Sequence, residues 1–229
     1  PLEKSRKEQN AFIAAASHEL RSPLTVIQTS LSAVSYADPE QTEHFISISL
    51  DECKRMSRLI QDMLSLSRSD NHTWVLDCTS CEIDTLLLDV YEKYEQTARH
   101  KKKQLLIELP EDSLPVCFCD SLKISQALAI LIDNALAYVP EGGMIRLSAR
   151  QEAASVSLFV ADNGPGIPDS EKEAVFQRFY RSDTSRNDKQ HFGLGLCIAK
   201  EIALLHHGTL SVSDTPGGGA TFQLKLPVH

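Results

Sequence analysis

A chain of 229 residues, 42% of them hydrophobic, is long enough to bury a core and fits one or two domains. The formal net charge is −8 without long single-sign runs, which disfavours nucleic-acid binding and offers no polybasic patch for a membrane surface. The longest apolar stretches, Ala11–Ala16 and Ala127–Ile132, hold six residues each, far short of the ~20 that cross a bilayer, and no signal peptide is visible, so the chain reads as soluble.

The first predicted element is one long helix over about Glu3–Tyr36. Ile13, Ser17, Leu20, Leu24, Ile27, Leu31 and Val34 alternate at four and three, the spacing of a coiled-coil or bundle seam. His18 lies off that seam, and Ser22 and Thr25 share its outward face. Pro23 removes the amide that would bond the Glu19 carbonyl, so a bend is expected there. A Pro-containing turn over Ala37–Glu40 leads to a second helix, Gln41–Arg68, in which Ile46, Cys53 and Ile60 repeat at seven, as do Ser49, Met56 and Met63. Two such helices cannot enclose a core alone. Pairing two hairpins into a four-helix bundle solves the problem, which predicts a homodimer with Leu24, Leu31, Met56 and Ile60 in the shared core.

Ser69-Asp70-Asn71-His72 breaks the pattern and divides the chain into a helical domain, 1–69, and a second domain, 70–229. The second begins with a predicted strand at Trp74–Cys78, a helix at Ile83–His100 and strands at Gln104–Glu108 and Val116–Phe118. A helix at Ser121–Ala137 follows, then strands at Met144–Gln151 and Ser155–Ala161. Helices at Ser170–Phe176 and Leu194–His206 and strands at Thr209–Ser213 and Ala220–Leu226 close the chain. Mixed helices and adjacent strand pairs indicate an α+β two-layer sandwich. Cys78, Cys81, Cys117 and Cys119 are spaced too tightly in their second pair for an ordinary zinc site and read as small buried side chains.

Ser17-His18-Glu19-Leu20-Arg21-Ser22-Pro23-Leu24 resembles the phosphoacceptor box of sensor histidine kinases. The likeness continues in Leu131–Tyr138, similar to the family's asparagine box, in Asp162-Asn163-Gly164-Pro165-Gly166 and Gly193-Leu194-Gly195-Leu196, similar to its two glycine boxes, and in Phe176–Asp183, similar to its phenylalanine box. The resemblance implies a four-helix dimerisation domain followed by the ATP-binding fold shared by gyrase, Hsp90, histidine kinases and MutL. It implies that His18 takes the γ-phosphoryl group of ATP, that Glu19 accepts the proton from the other ring nitrogen, and that Ser22 positions water for dephosphorylation. It also implies that Asp162 accepts the adenine amino group, that Asn134 ligates Mg²⁺, and that Tyr138 packs on the nucleotide. Gly164, Gly166, Phe179, Arg181, Gly193, Leu194 and Gly195 complete the expected ATP site. Thr184–Gln190, with Arg186 and Lys189, would be a mobile lid, while Gly217-Gly218-Gly219 reads as a plain hairpin turn.

The implied partner is a response regulator that receives the phosphoryl group on an aspartate, and the implied setting is the cytoplasmic part of a membrane receptor with its N-terminal segments missing. Four positions depart from the family pattern. Ile130 stands where a second asparagine is usual, Ala137 where a lysine is common, and Ser22 where threonine or asparagine is usual; Gln190-His191-Phe192 replace further glycines. Ile130 and Ala137 keep a weakly catalytic, phosphatase-biased or scaffold sensor as one alternative, and the shared nucleotide fold makes an ATP-hydrolysing clamp or chaperone another, against which Ile130 counts. A clamp generally places a glutamate base at the site of Ile130.

Overall fold

The computed structural model describes residues 2–70, 74–181 and 192–228. Two long helices, α1 (Leu2–Val34) and α2 (Pro39–Asp70), form an antiparallel hairpin. The second starts two residues earlier than the sequence suggested: Asp38 Oδ1 accepts from the Gln41 amide at 2.8 Å, and Pro39 supplies a first helical position that needs no amide partner. Pro23 is buried inside α1, and the helix runs through it unbroken.

Within the hairpin the buried line is Ala16, Pro23 and Ser30 on α1 and Ser49, Leu59 and Leu66 on α2. Much of the predicted seam faces outward instead. Leu24 is 46% exposed, Leu31 53% and Ile60 45%, with Ile13, Ile46, Leu50 and Leu64 also uncovered. Met56 is half-buried within its own hairpin.

The second domain contains β1 (Thr79–Glu82), α3 (Ile83–His100), β2 (Gln104–Glu108), β3 (Val116–Cys119), α4 (Ser121–Tyr138), β4 (Met144–Glu152), β5 (Ser155–Asp162), α5 (Gly195–Leu205), β6 (Thr209–Asp214) and β7 (Ala220–Pro227). Five strands form one sheet in the order β2-β4-β5-β7-β6, with β2 parallel to β4 and the other neighbours antiparallel. β1 and β3 form a separate antiparallel ribbon. Ile145 and Leu147, Val156, Leu158 and Val160, and Phe222, Leu224 and Leu226 are buried at every second position, the period that turns one face of a sheet inward. Ile124, Leu128, Leu131 and Ala135 of α4 and Ile198 and Ile202 of α5 complete that core.

Two expected elements are replaced. Residues 74–78 are not a strand, because their polar backbone finds a side-chain partner instead of a ladder: the Asp77 amide donates to Asp120 Oδ2 at 3.2 Å, and the Lys123 ammonium sits 5.0 Å over the Trp74 ring. The strand lies one step later, at β1. The helix expected over Ser170–Phe176 is reduced to a single 3₁₀ turn, Ala174–Phe176. Lys172 Nζ there joins Asp169 at 2.6 Å and Asp214 of β6 at 2.8 Å, tying the segment to the sheet.

A buried histidine fixes the start of α4. His206 Nε2 accepts from the Asp120 amide at 3.0 Å, and its Nδ1 lies 2.8 Å from the Ile202 carbonyl. An amide can only donate and a carbonyl only accept, so the ring is the neutral tautomer protonated on Nδ1. Asp120 in turn caps the helix by accepting from the Lys123 amide at 3.1 Å.

The two domains touch. Leu59 and Leu66 of α2 belong to the same buried cluster as the second domain's core, Ser69 Oγ donates to Glu201 Oε2 at 2.7 Å, and the Arg55 guanidinium stacks 4.4 Å over Phe192. Burial in this contact pushes the Asp62 carboxyl up to about 6, against the opposing pull of Arg58.

Candidate nucleotide site and phosphoacceptor

The histidine on α1 projects into solvent, as its place off the seam predicts. His18 is 80% exposed and Glu19 26%, and Nδ1 lies 3.7 Å from Glu19 Oε1. That separation is too long for a hydrogen bond. Ser22 and Thr25 are exposed on the following turns, with the Thr25 hydroxyl donating to the Arg21 carbonyl at 3.0 Å.

The second site is a cavity of about 290 Å³ between α4, the C-terminal end of β5 and the start of α5. Ile130, Asn134 and Tyr138, at successive turns of α4, form one wall. Asp162, Gly166, Arg181, Gly193 and Gly195 also line it. Asp162 is buried. Its Oδ1 accepts from the Gly164 amide at 2.8 Å and the Ala220 amide at 3.3 Å, which leaves Oδ2 to receive a ligand donor. Burial raises the pKa of this carboxyl while the two amides pull it down.

A second part of the lining suits negative charge. α5 opens at Gly195, which lines the cavity, and the N-cap residue Leu194 makes no side-chain cap, so the first turn of the helix brings amide donors and the positive end of its dipole to the site. Gly193 has φ +73°, and a Cβ there would press on the backbone of Phe179 and Tyr180.

Three of the expected site residues do not line the cavity. Gly164 acts through its amide on Asp162, Leu194 is buried beside the wall, and Phe179 turns away from it. The Phe179 amide donates to the Gly193 carbonyl at 2.9 Å with φ +59°, a strained backbone that sends its ring toward α1 and leaves Tyr180 to line the cavity. The segment Thr184–Gln190, with Arg186, Lys189 and His191, lies outside the described residues.

Sequence reasoning missed Tyr180, Glu171, Val175, Leu196 and Ala220 on the cavity wall. Gly219 was underestimated as well: besides closing the β6–β7 turn, it packs on the backbone of Asp162 so closely that a Cβ would collide with the Asp162 carbonyl. Its place before a strand gave no hint of that approach.

Comparison with known proteins bears on both sites. Residues 8–72 match the model of the His Kinase A (phospho-acceptor) domain, and residues 119–229 that of the histidine kinase-, DNA gyrase B- and HSP90-like ATPases. The sensor histidine kinase WalK of Bacillus subtilis is 35% identical over 231 residues, 98% of this chain and 38% of that protein. The adaptive-response sensory kinase SasA of Crocosphaera subtropica is 31% identical over 237 residues, 100% of this chain and 62% of that protein. Among solved structures, the histidine kinase AdeS of Acinetobacter baumannii superposes with a TM-score of 0.73 at 26% identity, covering 93% of this chain and 98% of that one. The chain spans from 24% to 62% of the length of such curated relatives.

Proposed function

The chain belongs to the histidine kinases, as a phospho-acceptor domain joined to a gyrase- and HSP90-like ATPase domain, and on that premise we propose that it phosphorylates its own His18 from ATP and passes the phosphoryl group to an aspartate of a response regulator. The observation that carries this reading is the pairing, in one chain, of a solvent-facing imidazole beside a carboxylate with a cavity lined both by a buried carboxylate, Asp162, and by the first residue of a helix, Gly195.

Asp162 Oδ2 accepts the adenine amino group. A guanine carbonyl at the same ring position would set two acceptors face to face, so adenine is selected. Tyr138 packs on the nucleotide, while the amides of α5, Gly193 and Arg181 receive the phosphates. The Asn134 amide oxygen is a hard donor suited to Mg²⁺, and Ile130 one turn earlier offers none, so phosphate oxygens and water would supply the other ligands. The ion, when bound, neutralises phosphate charge.

At His18, Nδ1 is the ring nitrogen on the side of Glu19, so in this reading Nε2 is the nucleophile and Nδ1 gives up the proton. Nε2 attacks the γ-phosphorus, the N–P bond forms, and the bond to the β–γ bridging oxygen breaks as ADP leaves. The Nδ1 proton passes to Glu19 as the ring becomes cationic. Ser22, one turn on, would help to orient water for dephosphorylation, which releases the phosphoryl group as inorganic phosphate.

Residues 1–69 present the nucleophile and 70–229 hold ATP, and the uncovered line of Ile13, Leu24, Leu31, Ile46 and Ile60 joins two copies into a four-helix bundle. No helix among the described residues is long and apolar enough to cross a membrane, and we place the chain as the cytoplasmic portion of a larger receptor. A weakly catalytic sensor is the second reading, favoured by the apolar Ile130 in the cavity wall. Incubation with γ-labelled ATP separates the two: acid-labile, base-stable label on His18 supports the kinase, and nucleotide binding without label supports the weak sensor.

A further inference from the structure

Nucleotide binding as proposed above employs Asn134, Tyr138, Asp162 and Arg181 and leaves one charged residue of the cavity, Glu171, without a part. Glu171 is half-buried. It belongs to the wall that Asp162 begins: Gly166, Ile167 and Pro168 line the cavity between the two, and the chain then turns so that the Glu171 amide donates to the Pro168 carbonyl at 2.8 Å. One turn on, Val175 donates its amide to the Glu171 carbonyl at 2.9 Å and also lines the cavity. The backbone of Glu171 is therefore held through both of its polar groups.

The carboxylate is not committed elsewhere. The neighbouring Lys172 ammonium goes to Asp169 at 2.6 Å and Asp214 at 2.8 Å, and among the described residues no hydrogen bond or ion pair engages the Glu171 side chain. Binding cavities carry few polar groups, and those fix the orientation and identity of the ligand.

A carboxylate accepts hydrogen bonds and repels anions, which narrows what it can meet on ATP. Charge excludes the triphosphate. The donors that remain are the adenine amino group, which Asp162 takes, and the two ribose hydroxyls. We propose, on the reading of this cavity as the ATP site, that Glu171 is a specificity-determining residue that accepts from a ribose hydroxyl and so selects ribonucleotides over their deoxy counterparts. Two carboxylates on one wall then read the two uncharged parts of the nucleotide, Asp162 the base and Glu171 the sugar. A divalent ion is the other species that a carboxylate holds, and the test separates it.

The full chain is titrated calorimetrically with ATP, 2′-deoxy-ATP and 3′-deoxy-ATP, in Mg²⁺ and in EDTA. The unaltered chain should bind ATP about tenfold tighter than one of the deoxy nucleotides in both buffers, the scale of one hydrogen bond to a charged group. Glu171→Ala should bind all three alike, at the level the unaltered chain shows for the disfavoured one. Glu171→Gln, which keeps the shape and one acceptor oxygen, should fall between, and an undiminished preference in that variant overturns the proposal even if Glu171→Ala fails to fold. Equal binding of the three nucleotides by the unaltered chain also overturns it, as does a preference that survives in Glu171→Ala. A preference that vanishes in EDTA assigns the carboxylate to the ion and overturns it too. An unaltered chain that binds none of the three refutes the ATP site itself.

Discussion

Phe12 on α1 and Phe179 beside the nucleotide cavity meet with ring centroids 5.5 Å apart and planes inclined at 45°. The Arg178 guanidinium covers the same Phe12 ring at 5.4 Å, and Tyr180, next in sequence, lines the cavity. Phe12 precedes His18 by six residues, about 9 Å along the helix axis. The aromatic contact therefore joins the helix that carries His18 to the segment beside the cavity wall.

Removing that contact should loosen the two domains without unfolding either. An aromatic pair is worth roughly 0.5–1.5 kcal/mol beyond its buried area. Phe12→Ala should increase the radius of gyration in small-angle scattering while calorimetric ATP binding holds. An unchanged radius would show that the α2 contacts, Leu59 and Leu66 with Arg55–Phe192 and Ser69–Glu201, hold the domains without it.

His18→Ala should abolish phosphorylation and leave ATP affinity near that of the unaltered chain, because nucleophile and cavity belong to different domains. Glu19→Gln should bind ATP equally well and transfer about 10²–10⁴-fold more slowly, the usual worth of a general base. Single-turnover kinetics with labelled ATP checks both.

Asp162→Asn should weaken ATP binding, since the amide oxygen can keep the Gly164 and Ala220 amides while a donating NH₂ replaces the Oδ2 that would accept the adenine amino group. Asn134→Ala should instead reduce Mg²⁺-dependent turnover more than Mg²⁺-free nucleotide binding. Isothermal titration with and without the metal separates the two, and equal losses would remove Asn134 from metal binding.

Asp62 predicts a pH dependence. Its carboxyl is raised from 3.8 to about 6 in the folded chain, so the protonated form is favoured by folding. That contribution is complete below the unfolded value of 3.8 and is lost as pH rises through about 6. Asp62→Asn should therefore raise the melting temperature above pH 6, and the gain should shrink as pH falls toward 4. Calorimetry across that range decides it; a gain independent of pH would assign the effect to packing.

Leu24→Asp should dissociate the dimer or unfold the bundle, because the shared core would bury an unpaired carboxylate at a cost of several kcal/mol. Residues 72–229 alone should remain monomeric and bind ATP. Light scattering of the full chain at micromolar concentration tests the assembly, and a monomer with an intact helical spectrum would refute it.

The parts of this molecule governed by periodicity were readable in the sequence. The buried stripe of α4, Ile124, Leu128, Leu131 and Ala135, follows from spacing alone, as do α3 and β2 to their terminal residues. The parts governed by distant partners were not. Residues 74–78 look like a strand until the Asp120 carboxylate, 43 positions away, takes the Asp77 amide. Ser170–Phe176 looks helical until Lys172 is drawn to Asp214, 42 positions on. Asp162 and Asn134 stood out by motif, whereas the left-handed backbone that turns Phe179 out of the cavity left no mark in composition or spacing.

Pro23 gives α1 a mechanical character of its own. The helix lacks one rung there, since no amide at position 23 can meet the Glu19 carbonyl. A rod with a missing rung is most compliant at that point, so a twist or tilt imposed on the N-terminal end of α1 concentrates in the turn that bears His18 and Glu19. The helix acts as a shaft with its joint beside His18, and movement at its far end is spent in the turn that carries the imidazole.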